Sequence, residues 1–119
     1  MVGDMGSNLT EATTGATADQ VFAALADPHR RALLDRLRRR DGQTLTDLCD
    51  RMPMSRQAVT KHLRVLGDAG LVRVRREGRT SVHSLDAAPL QDVSAWLWAY
   101  ADLMDDALSR LRTYLEENP

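Results

Sequence analysis

The chain has 119 residues, of which 43% are hydrophobic, and a formal net charge of −1. This length suffices for one domain with a modest core. There is no run of 18 consecutive apolar residues and no amino-terminal signal pattern, so we expect neither membrane insertion nor secretion. A single cysteine, Cys49, excludes an internal disulfide and favours a reducing compartment, so a cytoplasmic location is expected.

The charge is unevenly distributed along the chain. Between Pro28 and His83 there are 14 Lys+Arg against 6 Asp+Glu, a net charge of +8, whereas the flanks have 2 against 11, a net charge of −9. A nucleic-acid-binding surface appears in a sequence as such a local excess of cations. Every cation except Lys61 is an arginine; a GC-rich genome would produce the same bias, so arginine usage itself carries little weight.

Residues 1–18 are rich in Gly, Ser, Thr and Ala and have no sustained apolar period, which predicts a disordered tail. Residues 19–117 are predicted to form a single domain. It opens with a short apolar helix around Phe22, which we expect to pack against the C-terminal helix. A second helix begins at Asp27-Pro28, where Asp27 can cap and Pro28 suits the first helical position, and it ends at Gly42.

Two further short helices are predicted around a tight turn. Thr44 and Asp47 have the spacing of a capping box, and apolar residues from Leu45 to Met52 follow at helical spacing. Met52-Pro53-Met54 forms the turn. Ser55 then caps a helix that runs to about Asp68 and stops at Gly70.

The segment from Leu71 to Leu85 has two short strand-like runs separated by Arg76-Glu77-Gly78-Arg79, which predicts a β-hairpin. Two helices joined by a turn and followed by such a hairpin are the parts of a winged helix-turn-helix. The predicted fold class is therefore mainly α with a small β-hairpin wing.

A long C-terminal helix is predicted from about 90 to 115, opened by Pro89. At 1.5 Å per residue it would be roughly 39 Å long, more than a small domain covers alone. Its wide apolar face predicts a homodimer paired through the first and last helices. The predicted interface residues are Val21, Phe22, Leu25, Val93, Trp96, Leu97, Tyr100, Met104, Leu108 and Leu111.

The helix Ser55–Asp68 has two faces. Val59, Leu63 and Leu66 share the packing face, and polar residues occupy the other, as in a helix that reads the DNA major groove. Arg56 and Gln57 are candidates for base contacts, and Ser55 for a phosphate contact. The predicted DNA-binding residues are Ser55, Arg56, Gln57, Thr60, Lys61 and Arg64 on the helix, with Arg75, Arg76 and Arg79, beside Arg73, on the wing. A merely solvated helix face and a hairpin made soluble by its arginines are the competing interpretations.

The motif SRQAVTKHLRVLGDAGLVRVRREGRTSVHSL resembles the recognition helix and wing of the ArsR-type (ArsR/SmtB-like) bacterial repressors, and ALADPHRRALLDRL resembles their first core helix. The resemblance covers about Val21 to Asp86. It implies a homodimeric repressor that binds a palindromic operator in double-stranded DNA and releases it on meeting a signal. By position, Arg56, Gln57, Thr60 and Lys61 match the DNA-contacting sites of the family.

Metal-sensing members of that family have a Cys-x-Cys type motif before the recognition helix, or Asp and His ligands on the last helix. This chain has Cys49 alone at the first place and no histidine at the second. His29, His62 and His83 show no ligand-like spacing. We therefore expect no metal site and no cofactor, as in the metal-independent branch.

Other functions remain open at this stage. No catalytic constellation or phosphate-binding glycine loop is present, so an enzyme is not expected. The main rival is a winged-helix protein-interaction module. A further alternative is a regulator that responds to an unidentified small organic effector bound near Trp96, Trp98 and Tyr100, or to oxidation of Cys49.

Overall fold

A computed structural model describes residues 17–118. Its elements, in chain order, are α1 Ala18–Leu25, α2 Pro28–Arg39, β1 Gln43–Thr44, α3 Leu45–Cys49, α4 Arg56–Asp68, β2 Val72–Glu77, β3 Thr80–Leu85, α5 Leu90–Trp98 and α6 Ala101–Glu117. The predicted disordered tail lies outside the described residues except for its last two. Of these, Thr17 caps α1 and Ala18 is the first residue of that helix.

Local side chains set the helix starts as the sequence predicts. Asp27 accepts hydrogen bonds from the backbone amides of His29 (2.7 Å) and Arg30 (3.2 Å) at the start of α2. Thr44 and Asp47 form a reciprocal capping box at α3. Each of these bonds satisfies an amide that the helix itself leaves unpaired.

The core is formed by α1 to α4 and the base of the sheet. Its largest fully buried side chains, each less than 2% exposed, are Leu33, Leu37, Leu48, Leu66, Leu71, Val21 and Val59. Burial of each such side chain contributes about 1.5–3 kcal/mol. Val59, Leu63 and Leu66 anchor the inner face of α4 in this core, as predicted, so the opposite face of α4 points outward.

The sheet has three antiparallel strands in the order β1-β3-β2. β2 and β3 form the predicted hairpin, with pairs from Val72 with Leu85 to Glu77 with Thr80. Gly78 and Arg79 form the tight turn between the two strands. Gly78 has φ +62°, a conformation that glycine adopts without strain. The wing is therefore confirmed.

The strand β1 is absent from the sequence prediction. It is too short to show a period, and its buried residue, Gln43, is polar. The side-chain amide of Gln43 donates to the carbonyl oxygens of Arg36 (2.9 Å) and Arg40 (2.6 Å), and the backbone carbonyl oxygen of Gln43 lies 3.1 Å from His83 Nδ1. Gln43 thus joins the end of α2 to the base of the wing.

The turn between α3 and α4 starts earlier than predicted. The apolar stripe predicts a helix reaching Met52, but α3 ends at Cys49. Arg51 follows with φ +63°, in the left-handed region, and this reverses the chain before Pro53.

The prediction of one C-terminal helix over residues 90–115 is wrong. The chain breaks between α5 and α6 at Ala99 and Tyr100. Their amides donate to the carbonyl oxygens of Trp96 (3.3 Å) and Leu97 (2.9 Å), three residues back, so the α-helical pattern of four is interrupted.

The two C-terminal helices lie largely outside the core. α5 packs against α1, as predicted, with the rings of Phe22 and Trp96 edge to face at 5.7 Å. Every residue from 102 to 117 is exposed. The Cα radius of gyration is 18.5 Å, whereas a compact domain of this size has about 13 Å. Within residues 17–118, no helix is both long and apolar enough to span a lipid bilayer.

Candidate nucleic-acid interface

The outer face of α4 presents most of the predicted DNA-binding residues of that helix to solvent. The exposed ones are Ser55, Arg56, Gln57, Lys61 and Arg64. Thr60 is half-buried, and its hydroxyl group donates to the carbonyl oxygen of Arg56 (3.0 Å). The methyl group and the oxygen lone pairs of Thr60 therefore remain for a ligand, but its hydroxyl proton is engaged.

Ser55 caps α4, as predicted. Its Oγ accepts a hydrogen bond from the amide of Ala58 (3.1 Å), which leaves the hydroxyl proton able to donate. The amino-terminal end of a helix carries a partial positive charge. This end of α4 is therefore electrostatically suited to a phosphate group.

Arg56 connects α4 to the wing and to α3. Its Nη1 donates weakly to Thr46 Oγ1 (3.4 Å) in the first turn of α3. Arg56 also lines a cleft of about 240 Å³ together with Arg79, Thr80 and Ser81 at the wing tip. The structure thus brings Arg56 and Arg79, two residues predicted separately, to one cleft.

The predicted arginines of the wing divide into two sets. Arg73 Nε lies 2.8 Å from Asp86 Oδ2, and Arg75 Nη2 lies 2.6 Å from Glu77 Oε2. For Arg76 and Arg79, by contrast, the described residues provide no ion-pair partner. Because strand residues alternate between faces, Arg76 is on the opposite face of β2 from Arg73 and Arg75.

Many cations of the basic segment between Pro28 and His83 stabilise the fold. Guanidinium groups cap helix ends by donating to carbonyl oxygens, from Arg30 to Ala24 (2.7 Å), from Arg31 to Leu25 (2.8 Å) and from Arg36 to Leu48 (2.9 Å). Asp35 pairs with two more arginines of α2. Within the described part of this basic segment, eight cations have no acidic partner. Two of them, Arg31 and Arg36, cap helix ends. The other six lie on the outer face of α4, at the turn that precedes α4 and on the wing: Arg51, Arg56, Lys61, Arg64, Arg76 and Arg79.

Thr46 and Arg51 are therefore interface candidates that the sequence analysis missed. Both are exposed. Thr46 contacts Arg56, and Arg51 belongs to the turn that leads into α4. The position of Thr46 in the first turn of a capped helix is a signal that could have identified it.

Two carboxylates near this surface are held ionised. Hydrogen bonds from the backbone amide and the hydroxyl group of Thr44 lower the pKa of Asp47, with a smaller effect of the charge of Arg40. The backbone amide of Ala88 and the guanidinium of Arg73 lower the pKa of Asp86. The wing base and α3 thus carry fixed negative charges beside the cations.

The predicted dimer-interface residues differ in exposure. Val21 is 1% exposed within the core, so it is not available to a partner, and Leu25 and Val93 pack partly against the core. The exposed members of the predicted set are Phe22, Trp96, Leu97, Tyr100, Met104, Leu108 and Leu111. Trp98 and Leu103, 72% and 65% exposed, widen this apolar surface. An apolar groove of about 460 Å³ runs along it between α5 and the start of α6.

Cys49 is less buried than its place on the apolar stripe predicts. It packs against the core but also lines an open cleft with Arg36, Arg39 and Arg40. Two of the histidines, by contrast, come closer together than the sequence suggests. The rings of His29 and His62, on α2 and α4, have centroids 5.9 Å apart, beside Asp27.

Comparisons with known proteins agree with this geometry. Residues 25–75 match a family model described as a helix-turn-helix domain. The chain is 40% identical over 86 residues to YuzN of Bacillus subtilis, an uncharacterised HTH-type transcriptional regulator, and the match covers 66% of this chain and 94% of YuzN. It is 31% identical over 90 residues to the transcriptional repressor SdpR of the same organism, with 76% of this chain and 99% of SdpR covered. The crystal structure of an ArsR family transcriptional regulator, RHA00566, superposes with a TM-score of 0.64 at 34% identity, covering 73% of this chain and 89% of that one.

Proposed function

Because the chain belongs to the ArsR-type family of winged helix-turn-helix transcriptional regulators, we propose that it is a homodimeric repressor that binds a palindromic operator. The family consists of DNA-binding regulators and not of enzymes. The match to the transcriptional repressor SdpR, 99% of whose length this chain covers, supports activity as a repressor. We also propose a cytoplasmic location, because a regulator acts where the DNA that it binds is.

The observation that carries the proposal is the position of the unpaired cations. α4 is anchored by its buried face, so Gln57, Lys61 and Arg64 project outward from a rigid element. A helix of 13 residues is about 20 Å long and fits the major groove, which is about 12 Å wide. We propose that Gln57, Lys61 and Arg64 read base edges there.

The cleft between Arg56 and Arg79 is proposed to hold a backbone phosphate. Both arginines line it together with Thr46, whose hydroxyl group accepts from Arg56 and keeps its own proton to donate. Arginine forks and hydroxyl donors are the groups that position protein on a DNA backbone. Arg56, considered a base-contacting residue from the sequence, is therefore better suited to a phosphate.

The second protomer is proposed to cover the apolar surface of α5 and α6. Trp98, Leu103 and Leu108 are each more than half exposed, and this surface continues through Trp96 onto Phe22 of α1. Exposure of that many large apolar side chains is typical of an interface. A two-fold dimer would set two α4 helices in successive major grooves, about 34 Å apart.

The testing experiment recovers bound genomic fragments at fixed salt and then measures affinity for the recovered site. A two-fold symmetric dimer should select DNA fragments that contain an inverted repeat. Gln57→Ala and Lys61→Ala should each weaken that site by about 1–3 kcal/mol. Arg110→Ala, which changes an exposed cation of α6, is the matched control and should leave affinity unchanged.

The outcome also separates the proposal from the rival functions. A protein-interaction module would recover no common site and would show no steep fall of DNA affinity with salt. A regulator that senses an organic effector in the groove between α5 and α6 would lose operator affinity when that effector is added. Such an effector is the second candidate, favoured only by the volume and apolar walls of the groove.

A further inference from the structure

Three metal-ligating side chains meet where the turn between α1 and α2 faces the middle of α4. Asp27 and His29 come from the start of α2, and His62 comes from α4, 33 residues further along the chain. One ligand atom from each of the three residues lies within 4.8 Å of the other two. The imidazole rings are tilted by 40° to each other and are 5.9 Å apart at their centroids.

We propose that Asp27, His29 and His62 bind a divalent transition-metal ion of the zinc type. Two imidazole nitrogens and one carboxylate oxygen are a donor set that Zn²⁺ accepts, and a water molecule would complete a tetrahedron. The site differs in place from the two types of metal site named in the sequence analysis, since it uses neither Cys49 nor the last helix. An ion coordinated by three protein ligands keeps an exchangeable position.

The carboxylate of Asp27 has one oxygen available for an ion. Oδ1 accepts the hydrogen bonds from the amides of His29 and Arg30 that cap α2, whereas Oδ2 lies 3.8 Å from Arg30 Nη1. Asp27 can therefore cap the helix through Oδ1 and offer Oδ2 to an ion.

Arg30 competes with the ion for the same side chains. Its Nη1 lies 3.5 Å from His62 Nδ1, although its other nitrogens are held by the carbonyl oxygens of Ala24 (2.7 Å) and Ala23 (3.0 Å). A long contact of 3.5 Å is weak and is readily exchanged for a coordinate bond. The nearby positive charge reduces the affinity for a cation, so the site is expected to load and release the ion.

Binding would link the recognition helix to the rest of the core. His62 lies next to Lys61, one of the exposed residues of α4, and Asp27 and His29 belong to the start of α2. An ion held by both elements resists their separation, because binding to the folded state alone raises the free energy of unfolding.

The test is calorimetric titration of the full chain with ZnCl₂ after removal of metal, in the absence of DNA. The wild type should bind one ion per protomer, and its Tm should rise with zinc. His62→Gln and His29→Gln should each weaken binding by more than about 100-fold, because removing even a residue that supports a ligand typically costs about 10–100-fold. Because DNA is absent, a failure here leaves the proposed operator binding untouched, and a failure of operator binding leaves this result untouched.

Two variants serve as controls. Asp35→Asn removes an exposed carboxylate of α2 outside the cluster, and Cys49→Ser removes the thiol; both should bind zinc as the wild type does. Circular dichroism identifies any variant that fails to fold, and Asp27→Asn, which can still cap α2, then provides a further ligand variant. Equal zinc affinity in the wild type and in a folded His29→Gln, His62→Gln double variant would overturn the proposal. A thiolate charge-transfer band with Co²⁺, lost in Cys49→Ser, would overturn it as well.

Discussion

Apolar side chains are buried in one region of the molecule and exposed in another. The first is the core region, residues 18–85, and the second is the C-terminal arm, residues 90–117. In the core region, Leu37 and Leu66 are almost fully buried within one protomer. In the arm, no residue of α5 or α6 is buried, although Trp98 and Leu103 are as apolar as any core side chain. The difference teaches that the core region buries its apolar side chains within one protomer, whereas the arm leaves exposed the apolar surface that we propose a second protomer covers.

The largest expected effect comes from opening a cavity in the core region. Leu37→Ala removes a fully buried side chain and should lower the free energy of unfolding by about 2–5 kcal/mol. Urea unfolding at one fixed protein concentration measures this change. The matched variant in the arm, Leu103→Ala, starts from a side chain that is 65% exposed and should cost far less in a protomer. Equal losses for the two variants would break the comparison.

The next effect concerns association through the arm. Leu108→Ala combined with Leu111→Ala should weaken the proposed dimer by more than about 2 kcal/mol, because interface energy concentrates in a few central apolar side chains. Sedimentation equilibrium measures the dissociation constant. Val74 on the wing is 57% exposed, close to the 59% of Leu108, so Val74→Ala is the control that should not change association. A purely monomeric wild type would contradict the prediction directly.

The wing and the arm also differ in the proposed use of their exposed arginines. Arg76→Ala combined with Arg79→Ala should reduce the slope of log affinity against log salt by about 2, one for each lost phosphate contact, and should weaken all DNA sequences alike. Arg110→Ala combined with Arg112→Ala removes two cations of the arm and should leave the slope unaltered. If both pairs act equally, the cations contribute through net charge and not through position.

Acid should destabilise the fold through two carboxylates that accept backbone hydrogen bonds, Asp47 in α3 and Asp86 after β3. The folded-state pKa of Asp47 is lowered chiefly by the backbone hydrogen bond from Thr44 and that of Asp86 by the one from Ala88. Such a group stabilises the fold above its unfolded pKa of about 3.9, and the contribution is lost as pH falls through the lower folded value. The urea concentration at the midpoint of unfolding should therefore decrease once the solution is below about pH 4. Asp47→Asn should flatten this dependence; an unchanged profile would mean that other carboxylates dominate.

The smallest effect is expected from freeing an arginine on the wing. Glu77 pairs with Arg75 at 2.6 Å, and an exposed pair of this kind contributes at most about 1 kcal/mol. Glu77→Gln should release Arg75 toward DNA and increase affinity for all sequences by no more than that amount. Glu116→Gln in the arm makes the same charge change at a distance. A matching increase in Glu116→Gln would attribute the effect to net charge.

Patterns that act over a few residues were readable from the sequence. Ser55, Asp27 and the pair Thr44 and Asp47 cap helices as predicted, because a cap requires only a side chain and an amide two or three residues away. The turn at Gly78 is likewise local. The break at Ala99 was missed, since no glycine or proline marks it.

The sequence by itself determined the order of the helices from α1 to α4, the wing that follows them, and the face of α4 that packs into the core. These follow from periodicity and capping, which depend on near neighbours. Only the tertiary structure decided which arginines cap helix ends, that Arg56 and Arg79 share a cleft, and that His29 and His62 lie together. Those relations join residues that are far apart in the chain, and packing alone sets the distance between them.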